Sequence, residues 1–188
     1  MELEIRLERV ASGTVRGRMV DPLGRPVPDF VFWLRSTKAQ GRSVSVTSDG
    51  EGRFEAMDVP AGSLIFETRS LPRFTVKGFV LEPESELDAT LVLDWGDAAL
   101  AGTVLSPEGD PLPGAKVNLL WTHNAESRQS VSFRHTVTDA AGRFSFADLS
   151  AGAHRIHVVA GAYRGVQVSH NVGNDPTEPV IRMEPGGE

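Results

Sequence analysis

Apolar residues in this chain recur mainly at every second position, in short runs cut off by glycine, proline, aspartate or serine. Ile156, Val158 and Ala160 alternate with Arg155, His157 and Val159, and Val166 and Val168 alternate with Gln167 and Ser169. A period of two is the signature of a strand with one buried face. No window of comparable length combines a helical period with helix caps. In the second half the pattern predicts strands near 99–105, 115–122, 129–138, 143–147, 154–160, 165–171 and 179–184. The first half gives the same order, near 14–20, 29–35, 43–48, 53–57, 64–69, 74–81 and 87–93. Val31 and Trp33, facing away from Phe30, Phe32 and Leu34, predict a strand covered on both sides.

The two halves repeat each other. Residues 49–62 read DGEGRFEAMDVPAG and residues 139–152 read DAAGRFSFADLSAG, identical at seven of fourteen positions at an offset of 90. DPLGRPVP at 21–28 corresponds to SPEGDPLP at 106–113 at an offset of 85. The five extra residues of the second copy fall between these blocks and predict a longer loop over 121–130. Both blocks are turn chemistry. An Asp or Ser opens each turn by accepting backbone N–H groups, and a glycine closes it. Seven short strands with regular turns argue for a two-sheet sandwich. The expectation is an all-β chain of two tandem seven-stranded Greek-key β-sandwich domains, 1–95 and 96–188. The boundary near Asp94-Trp95-Gly96-Asp97 has no Pro- or Ser-rich linker, so little freedom between the copies is expected. Leu3-Glu4-Ile5-Arg6-Leu7 resembles the strand that precedes the second copy, as if it closed a preceding module.

Several residue patterns resemble the carboxypeptidase regulatory-like family of transthyretin-like β-sandwiches. The second copy carries Gly102-Thr103-Val104, Gly109, Pro111, Pro113-Gly114-Ala115, Thr138-Asp139, Gly142-Arg143-Phe144 and Leu149-Ser150-Ala151-Gly152. The first matches at Gly17, Gly24, Pro26, Pro28, Asp49, Gly52, Phe54 and Pro60-Ala61-Gly62, and departs at Asp29-Phe30, where the family shows Gly-Ala. The resemblance implies non-catalytic accessory modules of surface proteins, peptidases, adhesins and outer-membrane receptors. The related collagen-binding B-type modules can form a Lys–Asn isopeptide bond from a lysine in the first strand. The only lysines here are Lys38, Lys77 and Lys116, none in that place. Tyr163-Arg164-Gly165-Val166 resembles part of the tail of hydroxyisourate hydrolases but lacks its serine and leads into a strand.

Charge and composition narrow the partners. The chain has 188 residues, a formal net charge of −6 and no cysteine. An acidic surface does not attract phosphate backbones, so nucleic acid is not expected. Disulfides and thiolate metal sites are excluded. No apolar run is long enough to span a bilayer, and the first residues lack a signal pattern. Either the protein is cytoplasmic, or this is a piece whose signal lies elsewhere; the family resemblance implies the second, a piece of a larger bacterial protein, extracellular, at the cell surface or periplasmic, whose partners are other domains of the same polypeptide or another protein. No cofactor and no metal are expected. His154 and His157 lie an odd step apart on a strand and face opposite sides. His123 and His135 flank the longer segment of the second copy, where a hairpin could draw them together. The acid pairs Asp49/Glu51 and Asp94/Asp97 suit turn caps better than calcium. Trp95 reads as packing between the copies. Trp121, with His123 and His135, is the candidate ligand contact, for a peptide or carbohydrate bound at 121–130.

Overall fold

The structure, a computed structural model, describes residues 11–38, 42–68, 72–125, 128–161 and 163–186. The segment 3–7, read above as a strand, lies outside them. All regular structure among the described residues is β. The N-terminal half holds β1 (Ser12–Val20), β2 (Val31–Ser36), β3 (Ser43–Thr47), β4 (Arg53–Pro60), β5 (Gly62–Glu67), β6 (Arg73–Leu81) and β7 (Glu86–Val92). The C-terminal half holds β8 (Ala98–Leu105), β9 (Lys116–Ala125), β10 (Arg128–Val137), β11 (Arg143–Leu149), β12 (Gly152–Val159), β13 (Tyr163–Arg164), β14 (Val166–Val172), β15 (Val180–Arg182) and β16 (Glu184–Pro185).

Each half contributes a three-stranded sheet, β4-β1-β7 and β11-β8-β15, in which the last strand runs parallel to the first. The remaining long strands form one eight-stranded sheet, β14-β12-β9-β10-β6-β5-β2-β3. Its neighbours are antiparallel throughout, and β10 of one half pairs with β6 of the other. Buried apolar side chains group into two cores, one per half. In the first, Phe54 of the small sheet meets Phe32 and Phe66 of the large one at ring-centroid distances of 5.1 and 6.3 Å. Burying each such ring contributes roughly 1.5–3 kcal/mol.

The turns form as their residues dictate. Asp49 Oδ1 accepts the N–H groups of Glu51 and Arg53 at 2.9 and 2.8 Å, and Asp139 Oδ1 accepts those of Ala141 and Arg143 at the same distances. Gly52 and Gly142 close these turns at φ of 72° and 71°. A Cβ on either would meet a backbone oxygen, of Met19 or Val104, at about 2.5 Å, so two constraints converge on glycine. Asp29 sits at φ 52°, where its counterpart Gly114 sits at 74°. Aspartate tolerates the left-handed region better than most residues, which accounts for the departure from glycine there.

Two expectations change. Val31 is 45% exposed, so the outer face of β2 is open at that point rather than covered on both sides. The predicted loop over 121–130 is not a loop: β9 runs on to Ala125 and β10 starts again at Arg128, in ladder register from Arg128↔Ala125 to Val137↔Lys116. The inserted residues lengthen a hairpin, and the added part of β10 is what reaches β6. Of the residues paired with β6, Gln129 to Phe133, only Phe133 has a counterpart in β3 at the offset of 90.

Candidate functional site

The densest polar chemistry lies where the two halves join. Leu93 belongs to the N-terminal core, and Asp94 follows it with only 4% exposure. Asp94 Oδ1 accepts the Ser150 N–H at 3.0 Å and the Ser150 hydroxyl at 2.9 Å. His154, fully buried on β12, places Nε2 3.1 Å from the same oxygen and Nδ1 3.1 Å from the Gly152 carbonyl. Both ring nitrogens thus face oxygen atoms. Arg134 of β10 lies with Nε 3.6 Å from Asp94 Oδ2. Its Nη groups donate to the carbonyls of Asp94, Ala147 and Asp148 at 2.8–2.9 Å. Burial pushes the Asp94 carboxyl up, but His154, Ser150 and Arg134 together outweigh it and hold the group below the usual carboxylate range. Burial likewise lowers the Arg134 guanidinium, against the pull of Asp94 and Asp148.

Successive linker residues turn to opposite halves. Asp94 enters the C-terminal half. Trp95 packs edge-on against Phe30 at 5.8 Å, and Phe30 meets Phe74 at 5.5 Å. Phe30 stands where the second copy has the small Ala115, and its ring receives Trp95. A Cβ on Gly96 would lie 2.5 Å from the Leu149 carbonyl oxygen. Asp97 returns to the N-terminal half through Arg25, which also binds Asp21.

Beside the linker runs the β6–β10 seam. Ser132 pairs with Trp121 on one side and Phe74 on the other, and Ser130 pairs with His123 and Val76. These serines are 3% and 5% exposed, small side chains set between larger neighbours. Arg128 lies over the Phe79 ring at 4.6 Å, a further link across the seam.

This places the candidate residues. Trp121, 5% exposed, is part of the seam and offers no ring face to a peptide or sugar. It stacks on His123 at 5.7 Å. His123 and His135 lie on opposite faces of the sheet, since His123 shares the Trp121 face while His135 falls an odd number of residues from the facing Ser132. The hairpin does not bring them together. His154 is buried and His157 exposed, on opposite faces as their spacing requires. Asp94 and Asp97 diverge, one buried and one on Arg25. Asp49 is committed to its turn, and Glu51 pairs with Arg53 at 2.6 Å. Among the described residues no three His, Asp or Glu side chains gather in a way that could hold a metal ion. The concavity along the β1–β4–β7 sheet has a counterpart in the C-terminal half lined by Gly102, Asp139, Arg143 and Phe144, so its shape follows from the repeat.

Asp94, Ser150, His154 and Arg134 as a set escaped the sequence reading. A signal was present: at the offset of 90, Ser150, His154 and Arg134 stand where the first copy has Pro60, Leu64 and Val44. Three polar departures at structural positions mark one polar receptor.

These sheets and turns define an all-β sandwich protein built from a repeated pattern. Residues 99–184 match the model of the carboxypeptidase regulatory-like domain, and that segment belongs to this family. No curated protein matches the chain in sequence. Similar solved structures include a streptococcal ancillary pilin, 14% identical with a TM-score of 0.42, covering 96% of this chain and 64% of its own. The chain thus spans about 64% of that pilin's length. The minor pilin GBS52 of Streptococcus agalactiae is 12% identical with a TM-score of 0.41, covering 94% of this chain and 98% of its own. The shaft pilin spaA of Lactobacillus rhamnosus GG is 11% identical with a TM-score of 0.39, covering 94% and 99% respectively.

Proposed function

We propose that the chain is a non-catalytic structural module, a spacer or presenting segment, of a larger multi-domain protein of the bacterial surface or envelope. Its halves, 1–95 and 96–188, act as two tandem domains held in one fixed relation. The observation that carries this reading is the junction: an eight-stranded sheet continuous from one half to the other, with Asp94 buried beside it. A hinge keeps its linker solvated and its neighbours separable. Here every linker residue from Leu93 to Asp97 is tied to one half or the other. Asp94, His154 and Arg134 are committed to one another and to backbone groups at the junction. The family of residues 99–184 supports an extracellular, cell-surface or periplasmic setting, with other domains of the same polypeptide or a protein as partners.

Residual dipolar couplings test the reading directly. Amides of both halves should fit one alignment tensor. Two tensors of different magnitude would show independent motion and remove the basis for a rigid spacer.

A further inference from the structure

The internal junction shows what kind of strand this fold accepts at one particular edge. The outer edge of β6 is covered by β10 over Gln129 to Phe133. The counterpart of β6 in the C-terminal half is β14. Phe66 pairs with Val76 as Ile156 pairs with Val168, and Thr68 lies opposite Phe74 as Val158 lies opposite Val166. Val166 and Val168 therefore occupy the places of Phe74 and Val76. Phe74 and Val76, under the neighbouring strand, are 4% and 1% exposed. Val166 and Val168 pack on the second core but remain half-buried, and among the described residues no strand pairs with the far side of β14. Edge strands are normally blunted by lysine, proline or inward charge. Val166–Val172 reads VQVSHNV, with no lysine and no proline; its inward His170, 3.9 Å from Asp175, lies beyond the stretch that matches the paired residues of β6.

We propose that the β14 edge takes an antiparallel strand from a protein partner, the outer strand of an extended β-hairpin like β9–β10. The internal pairing specifies its chemistry: about five residues uncharged along the paired stretch, with small hydroxyl side chains at the inward positions, as in Gln129-Ser130-Val131-Ser132-Phe133. Alternation of strand direction continues correctly, because β14 holds the same orientation in its half as β6 does in its own. A second copy of this chain is a poor source. Its β10 is already engaged with its own β6, and its β3 lacks the extension that makes the pairing. The inference adds a partner to the spacer reading but rests on the internal pairing alone.

The test uses the full chain and a synthetic peptide of residues 128–137. The peptide should bind saturably and slow hydrogen exchange of the amides in 166–172, and Val168→Lys, an inward charge on the edge, should weaken binding about tenfold or more. Protection in the unaltered chain keeps the test meaningful if that variant folds poorly. Absence of binding, or protection at β6 or β3 instead of β14, would overturn the proposal. Concentration-dependent self-association that protects β14 without peptide would assign the edge to a second copy and overturn the hairpin partner. None of these failures touches the single-tensor result expected for the junction.

Discussion

Asp94 carries more of the molecule than its neighbours because its charge has been taken out of water. Removing one member of a buried pair leaves the other uncompensated, which costs about 3–5 kcal/mol. Asp94→Ala should cost that much in chemical denaturation, because Arg134, whose Nη groups are held by three backbone carbonyls, stays buried without its counter-charge. The titration has a definite sign. The native state holds Asp94 below its ordinary value of 3.8, so the unfolded chain binds its proton first as the medium is acidified. The stabilisation is complete above that value and drains away as pH falls through the lower native one. Stability curves of the wild type and Asp94→Asn, measured from neutrality downward, should run parallel until this acid range and converge within it. Trp121 gives a second residue-scale expectation. Trp121→Ala should cost about 3–5 kcal/mol as a core truncation does, and Trp121→Phe far less. A Trp121→Ala variant of unchanged stability would return that ring to the candidate ligand contact read from the sequence.

At the scale of elements, the five inserted residues of the second copy matter most. The repeat offsets of 85 and 90 revealed the insertion, and the strand order, turns and most strand limits were legible from alternation and Asp-x-x-Gly turns. What the insertion builds was not legible. An extra stretch in a hairpin reads as a loop unless something pairs with it, and here the partner is β6, more than fifty residues earlier. The same limit hid the receptor for Asp94. His154 sits on a strand whose alternation assigned its face correctly, but a buried histidine and a solvated one look alike until the acid from the linker arrives. Strand pairing between the halves depends on the small inward serines of β10. Ser132→Lys should therefore open the seam: amides of β10 and β6 should lose exchange protection together, while those of β1 and β8 keep theirs. A uniform loss across all strands would show that the seam has no separate identity.

At the scale of the whole molecule, the two halves share a sheet, a buried acid and the Arg128–Phe79 contact, so their cores should not melt independently. Calorimetry should give a single transition whose calorimetric and van't Hoff enthalpies agree, and Ser132→Lys should split it in two. The strand directions add a mechanical consequence. In each half the first strand lies alongside the last strand of its three-stranded sheet and parallel to it, from Thr14↔Glu86 to Val20↔Val92 in the N-terminal half. A pull on the two ends enters at the start of β1 and leaves at the far end of β7. That geometry drags the strands lengthwise past each other, so the whole ladder resists at once and cannot peel one rung at a time. In the proposed spacer role, a segment of this kind would bear tension along its length without paying out chain.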